Sequence, residues 1–196
     1  MEETFINNIT NLLKGRSIFL IGMMACGKSK TGPKLAQLLK YKFIDLDLLI
    51  EKVAKKSISK IFEEDGENKF RVYERQCLQE IIKYPSLVVS TGGGVITKNE
   101  NWGILRQGIV IWIDLEKKYA IERLKNDIDN RPLLKGKDLE ENYSEIFKSR
   151  KCLYEQADLR IKVQHENIEQ VTKKLLVNYI KVYLLNLDQF LQQTIL

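Results

Sequence analysis

Residues 22–29 read Gly-Met-Met-Ala-Cys-Gly-Lys-Ser, which satisfies every fixed position of the phosphate-binding pattern G-x-x-x-x-G-K-[ST]. In this pattern, backbone N–H groups surround nucleotide phosphates, the lysine contacts the β- and γ-phosphates, and the hydroxyl binds Mg²⁺. We therefore predict an ATP site in which Lys28 is catalytic and Ser29 is a metal ligand. The residues assigned to ATP binding are Gly22, Ala25, Cys26, Gly27, Lys28, Ser29 and Lys30.

Two carboxylates follow at the end of the next predicted strand, 42–47, which reads Lys-Phe-Ile-Asp-Leu-Asp. Because side chains alternate along a strand, Asp45 and Asp47 are expected on opposite faces and therefore in different roles. One can help to hold Mg²⁺ or its water, and the other can reach a substrate hydroxyl. The alternative is a strand end that is simply solvated.

Three consecutive glycines, Gly92, Gly93 and Gly94, follow another apolar run. A backbone without Cβ atoms can approach a ligand closely, although a flexible surface turn would also explain the run. Arg71 and Arg150 carry guanidinium groups suited to a carboxylate. On spacing alone, however, an arginine next to Arg75 and Glu74 more often belongs to a solvated helix face.

The strand and helix signals alternate along the chain. Apolar runs predict strands at 17–21, 42–47, 87–91, 109–113 and 159–163. Helical spacing predicts helices at 1–14, 34–39, 48–56, 57–62, 67–83, 99–107, 116–126, 139–156 and 168–183. Such alternation predicts an α/β fold with a five-stranded parallel sheet between two helix layers. The carboxyl ends of the strands, which carry the motifs above, should then meet at one cleft.

The composition of the chain indicates which classes of binding partner and which cellular environment to expect. The chain has 196 residues and a net charge of +6, which favours anionic ligands. The basic residues are scattered, so we expect no nucleic-acid partner. No run of 18 apolar residues occurs, so no membrane span is expected, and residues 1–13 lack the pattern of a secretory signal. The three cysteines show no paired spacing, which predicts a reducing, cytoplasmic environment.

Taken in order along the chain, six motifs resemble the shikimate kinase family from about residue 17 to 177. They are the phosphate loop, Phe43-Ile-Asp45-Leu-Asp47, Phe70-Arg71-x-x-Glu74, Ser90-Thr-Gly-Gly-Gly94, Arg131-Pro-Leu-Leu134 and Arg150-x-x-Leu-Tyr154. Each motif alone is weak or moderate evidence, whereas six in the same order are specific. The resemblance implies a three-layer P-loop kinase fold, similar to nucleoside monophosphate kinases, with a lid loop at 127–138.

The resemblance also implies an activity, the transfer of the γ-phosphoryl group of ATP to the 3-hydroxyl of shikimate. Ser29 would bind Mg²⁺ and Asp45 would support it through water. Asp47 would hold the substrate hydroxyls as the candidate base. Arg71 and Arg150 would clamp the carboxylate, and the three glycines would contact the ring hydroxyls. Arg131, a lid residue, would touch the ATP phosphates and belongs with Lys28 and Asp47 among the catalytic residues.

Three features of the chain depart from the family pattern. Ala25 stands where a glycine is usual, and we expect its backbone in an ordinary region because alanine adopts positive φ at a cost. Cys26 would lie at a helix N-terminus, where thiols become reactive, although a small residue that only fills space would also explain it. Pro33 follows soon after the phosphate loop and should delay the start of the helix.

Two other functions fit the same loop. One is a different small kinase, acting on gluconate or a nucleoside, which need not keep Asp47, Arg71 and Arg150 together. The other is a relative without activity, which should lack Lys28 or one of those residues, whereas all are present.

We expect residues 1–196 to form a single domain. It has a helix at its N-terminus, residues 1–14, and an extension at its C-terminus, residues 181–196. Each of these segments can pack on its own domain, face a partner or remain disordered. The expected state is a monomer, with weak self-association through the extension as the alternative.

Overall fold

The computed structural model describes residues 3–125 and 138–194, and within them five parallel strands form one sheet. The strands are β1 (Ile18–Ile21), β2 (Lys42–Asp45), β3 (Leu87–Ser90), β4 (Ile109–Leu115) and β5 (Leu159–Val163). Their order across the sheet is β2-β3-β1-β4-β5. The predicted parallel sheet is confirmed, and so is the location of each strand.

Helices connect the strands in the order that the sequence predicts. They are α1 (Glu3–Leu13), α2 (Lys28–Leu39), α3 (Leu46–Ala54), α4 (Ile58–Lys60), α5 (Gly66–Ile81), α6 (Asn99–Leu105), α7 (Lys117–Leu124), α8 (Leu139–Tyr154) and α9 (Ile168–Thr194). A π-helical segment, Ile61–Asp65, joins α4 to α5, and a 3₁₀ turn, Val95–Thr97, follows the three glycines. No helix in the described ranges is long and apolar enough to cross a membrane.

The strand register separates the two helix layers. It places Phe43 and Ser90 on one face of the sheet, where both lie against Gly32 of α2. Trp112 of β4 lies on the other face and stacks on Tyr154 of α8, with 5.6 Å between ring centroids. Helix α9 contacts both α2 and β5 and so belongs to the first layer. The three-layer arrangement is therefore confirmed.

The core consists of the sheet and the apolar faces of the helices on both sides. Every residue of β1 is buried, as expected for a central strand covered on two faces. Helix α1 also buries Ile6, Ile9 and Leu13 and contacts α2. Of the alternatives for the N-terminal helix, the structure therefore has the one in which it packs on its own domain.

Two local expectations were wrong. Pro33 lies inside α2, which begins at Lys28, so the helix does not start late. Proline fixes φ at a helical value and removes only one N–H, the partner of the Ser29 carbonyl. Strand β2 ends at Asp45, and Asp47 lies in the first turn of α3.

The contact between α2 and the sheet requires a residue without a side chain. A Cβ on Gly32 would collide with the Phe43 ring, so we expect Gly32→Ala to lower the free energy of unfolding by about 1–3 kcal/mol. Gly103→Ala in α6, where a Cβ meets nothing within 4 Å, is the control and should raise stability by up to about 1 kcal/mol. Urea unfolding of both variants measures this, and equal effects would contradict the packing argument.

Candidate active site

A cleft of about 660 Å³ lies at the carboxyl ends of the strands. Among the residues that line it are eight that the sequence predicts for the site: Ser29, Asp45, Asp47, Arg71, Gly92, Gly93, Gly94 and Arg150. Apolar side chains that were not predicted, from Leu48, Ile58, Phe62 and Phe70, line it as well. Three strand ends thus meet at one cleft, as the α/β topology requires.

The phosphate loop leads from β1 into the N-terminus of α2. Gly27, with a φ of 97°, precedes the helix, and Lys28 is its first residue. The Lys28 ammonium is buried and donates hydrogen bonds to the carbonyls of Gly22 and Met23 at 2.9 and 3.0 Å. Lys30 is exposed in the first turn of α2. A helix N-terminus behind a loop of this shape is suited to an anion.

The backbone of Ala25 differs from our expectation, because its φ is +60°. Alanine in this left-handed region costs about 1–2 kcal/mol, so an ordinary conformation at position 25 was wrongly expected. The Arg123 guanidinium, from α7, donates a hydrogen bond to the Ala25 carbonyl at 3.1 Å. Arg123 belongs to no motif that we identified, and no sequence signal marked it.

The Cys26 thiol is buried, with 3% of the residue exposed, and lies 3.4 Å from the Lys28 ammonium. Reactivity toward alkylating reagents requires access as well as a low thiol pKa. The burial therefore gives no support to the expected reactivity of Cys26.

Asp45 connects the phosphate loop to α3. Its Oδ1 caps α3 by accepting hydrogen bonds from the backbone N–H groups of Asp47 and Leu48. Its Oδ2 accepts a hydrogen bond from the Ser29 hydroxyl at 2.5 Å. Asp45 and Asp47 do point to different places, but the cause is the turn from strand to helix and not the alternation of a strand.

The pair of Ser29 and Asp45 has the chemistry of a magnesium site. Mg²⁺ prefers hard oxygen ligands and is commonly held by one or two carboxylates together with phosphates and waters. The described residues contain no cluster of three or more acidic, histidine or cysteine side chains that could hold a metal without a substrate. Ser29 and Asp45 are thus the described residues whose oxygen atoms could hold a cation next to the phosphate loop.

Arg71 is buried between two carboxylates of its own helix, α5. Its Nη1 donates to both oxygens of Glu74 at 3.0 Å, and its Nε and Nη2 donate to Glu67 Oε1 at 3.2 and 2.9 Å. Only 8% of Arg71 is exposed, whereas Arg75 is exposed to solvent. The solvated helix face that spacing alone favours is thus formed by Arg75 and not by Arg71.

Glu74 is fully buried beside Asp47, Arg150 and the Asn101 amide. The pKa of Glu74 is raised to about 7, because burial, helped by the Asp47 charge, outweighs the lowering effect of Arg71 and Arg150. The carboxyl group is therefore partly protonated near neutral pH.

Each of the three glycines faces a different part of the site. A Cβ on Gly92 would lie 2.9 Å from Asp47 Oδ1, and a Cβ on Gly94 would lie 2.8 Å from the Arg71 guanidinium carbon. A Cβ on Gly93 would lie 3.5 Å from the Gly22 carbonyl of the phosphate loop. None of the three has a positive φ. Gly92 and Gly94 are thus required for close approach and not for an unusual backbone conformation, whereas a Cβ on Gly93 would make only ordinary van der Waals contacts.

The Gly93 carbonyl also joins the segment to α8. It accepts hydrogen bonds from the Tyr154 hydroxyl at 2.6 Å and from Arg150 Nη1 at 3.3 Å. Arg150 is half-buried, lines the same cleft as Arg71 and lies close enough to Glu74 to lower its pKa. Arg131 and the expected lid loop at 127–138, apart from Asp138, lie outside the described residues, so their roles stay predictions.

These features define a P-loop phosphotransferase. A phosphate loop with its lysine and a serine–aspartate pair lies beside a cleft that two arginines line. Comparison with known proteins gives the family: a model described as shikimate kinase matches residues 24–180. The chain belongs to the shikimate kinase family, and it is therefore a kinase.

Individual relatives agree with this assignment. A shikimate kinase of Prochlorococcus marinus strain NATL2A is 55% identical over 159 residues, which cover 81% of this chain and 80% of the relative. The structure of Acinetobacter baumannii shikimate kinase in complex with shikimate has a TM-score of 0.83 and 31% identity, covering 88% of this chain and 97% of that chain. A gluconokinase of Sinorhizobium meliloti 1021, at 16% identity, a TM-score of 0.54, and 91% and 97% coverage, shares the fold alone.

The raised pKa of Glu74 makes folding stability depend on pH. Between pH 4.5 and 7 the folded state retains a proton that the unfolded state has lost, so stability falls as pH rises. Glu74→Gln cannot titrate, and we expect wild type to lose up to about 3 kcal/mol relative to this variant across that range. Urea unfolding at several pH values measures the difference.

The exposed carboxylate of Glu80, on the same helix, provides the control. Glu80→Gln should leave the pH dependence of wild type unchanged. A constant offset between wild type and Glu74→Gln at all pH values would contradict the predicted titration.

Proposed function

We propose that the protein transfers the γ-phosphoryl group of ATP to the 3-hydroxyl of shikimate, giving shikimate 3-phosphate and ADP for the chorismate route to aromatic amino acids. One observation supports this most strongly. The glycine segment lies beside the phosphate loop at Gly93 and against the Arg71 guanidinium at Gly94. An alcohol whose carboxylate is bound at Arg71 would thus present its ring hydroxyls next to the phosphates.

In this proposal Arg71 and Arg150 bind the carboxylate of shikimate. Two guanidinium groups in one cleft suit a planar carboxylate, because a guanidinium can donate two parallel hydrogen bonds to it. Glu67 is half exposed where it contacts Arg71. It can therefore move away, so that Nε and Nη2 of Arg71 can donate to the substrate carboxylate instead. Glu74 stays buried and keeps the guanidinium in place.

Asp47 orients the reacting hydroxyl. Its carboxylate lies against Gly92, at the place where the glycine backbone admits a ring hydroxyl. The hydroxyl oxygen bonds to the γ-phosphorus, and the bond from that phosphorus to the β–γ bridging oxygen breaks with its electron pair going to ADP. The hydroxyl proton goes to the Asp47 carboxylate. Such a reaction depends on positioning and charge neutralisation more than on covalent chemistry of the protein.

Lys28 supplies positive charge at the β- and γ-phosphates. Its ammonium is held in place by hydrogen bonds to the Gly22 and Met23 carbonyls. When ATP binds, phosphate oxygens would replace part of these hydrogen bonds. Ser29 and Asp45 would hold Mg²⁺, which neutralises phosphate charge when bound. Gly22, Ala25, Cys26, Gly27 and Lys30 would complete the ATP site, and Arg131 would close over the phosphates from the lid.

We further propose that the enzyme works as a monomer in the cytoplasm. The three cysteines are free thiols, as expected in a reducing compartment. The apolar face of α1 is buried on its own chain and so leaves no large surface there for a second copy.

The proposed reaction is tested by ADP release with ATP and Mg²⁺ in the presence of shikimate, gluconate or nucleosides. We expect shikimate to give the highest kcat/KM by at least about 100-fold, because only its carboxylate and ring hydroxyls match both arginines and the glycines. Phosphate on the 3-hydroxyl of the product is verified by NMR. A preference for gluconate or a nucleoside would contradict the proposal.

The carboxylate-binding role of Arg71 is tested with Arg71→Lys. Lysine keeps the charge beside buried Glu74 but loses the two-pronged hydrogen bond. We expect the KM for shikimate to rise about 10- to 100-fold, while the KM for ATP changes less than about twofold. Arg75→Lys, an exposed position on the same helix, is the control and should match wild type. An unchanged KM for shikimate in Arg71→Lys would remove Arg71 from the binding site.

A further inference from the structure

We propose that Tyr154 is a positioning residue for the reaction: its hydroxyl holds the Gly93 carbonyl and so leaves the Arg150 guanidinium available to the substrate carboxylate. This inference rests on the proposed function, because it assigns Arg150 to the carboxylate. Tyr154 itself lies behind the glycine segment and does not line the cleft.

The tyrosine ring is fixed rigidly. Tyr154 is fully buried, and its ring stacks on Trp112 with an angle of 16° between the ring planes. Trp112 belongs to the interior strand β4 and also lies near the Phe147 ring, at 6.5 Å between centroids. Burial raises the pKa of the Tyr154 hydroxyl, which therefore remains a hydrogen-bond donor at neutral pH. A donor held in this way defines the position of its acceptor.

Tyr154 and Arg150 share that acceptor. They are one helical turn apart on α8, and both donate to the Gly93 carbonyl, the hydroxyl at 2.6 Å and the guanidinium at 3.3 Å. The shorter bond belongs to Tyr154, so the carbonyl is satisfied without a close contact from Arg150. If the hydroxyl were absent, the guanidinium would be the nearest donor and would be drawn to the carbonyl, away from the substrate.

Gly93 also lies beside the phosphate loop. A Cβ on Gly93 would lie 3.5 Å from the Gly22 carbonyl and 3.6 Å from the Met24 backbone nitrogen. The phosphate loop limits movement of the segment on that side, and Tyr154 limits it on the other. Loss of the hydroxyl should therefore affect the shikimate side of the cleft and spare ATP binding.

The test uses Tyr154→Phe, which keeps the ring and its stacking on Trp112. We expect the KM for shikimate to rise about 5- to 30-fold, as for the loss of one hydrogen bond, with the KM for ATP within about twofold of wild type. Tyr41→Phe is the control, since that hydroxyl lies near Gly15 and Ser86 at the opposite ends of the strands. It should leave both KM values unchanged.

A double-mutant cycle with Arg150→Lys separates positioning from a general structural effect. If Tyr154 acts through Arg150, the double variant should raise the KM for shikimate by clearly less than the product of the single effects. Multiplicative effects, similar increases in both KM values, or an unchanged KM for shikimate with lower thermal stability would each overturn the inference. If wild type does not phosphorylate shikimate, the proposed function fails first. If wild type does so and Tyr154→Phe behaves identically, only this inference fails.

Discussion

The close approach of three functional groups to one backbone segment is the constraint on which the site depends. Gly92, Gly93 and Gly94 place a main chain without side chains against the Asp47 carboxylate, the phosphate loop and the Arg71 guanidinium. A Cβ at the first or third position would occupy space that Asp47 or Arg71 already fills. Because β3 lies next to both β1 and β2 in the sheet, the segment after β3 is the one that can reach the ends of both neighbours. The order of the strands and the run of glycines thus both allow this segment to approach the functional groups that follow β1 and β2.

The carboxylates near this segment offset the free-energy cost of burying the Arg71 guanidinium. Burying a guanidinium is costly unless it is paired, and Arg71 is paired on both sides by Glu67 and Glu74. The two partners differ, because Glu74 is fully buried whereas Glu67 is half exposed. One carboxylate can therefore hold the arginine while the other gives way to an incoming carboxylate. The raised pKa of Glu74 is the electrostatic consequence of this burial.

The sequence predicted those features that depend on patterns within one segment. Apolar runs located all five strands, and the motifs named eight of the residues that line the cleft, because both signals are local and unbroken. The position of Asp47 was missed because capping of α3 by Asp45 ends the strand two residues early. Arg71 and Arg75 have the same residue type and helix, and only packing of α5 decides which one is buried. The contact of Arg123 with Ala25 joins residues 98 positions apart, and no local pattern encodes it.

Ala25 shows how tertiary contacts override a local preference in the phosphate loop. A left-handed alanine costs about 1–2 kcal/mol, and the hydrogen bond from Arg123 to its carbonyl is of a type that contributes about 1.5–3 kcal/mol when the donor is charged. Because the bond is exposed to solvent, its contribution lies at or below the low end of that range, which is still comparable with the strain. The same guanidinium lies 3.7 Å from where a Cβ on Gly27 would stand, so it covers the loop at both residues. The phosphate loop of this chain therefore keeps the backbone shape that a glycine would allow at position 25. That shape depends on the contact from Arg123 of α7.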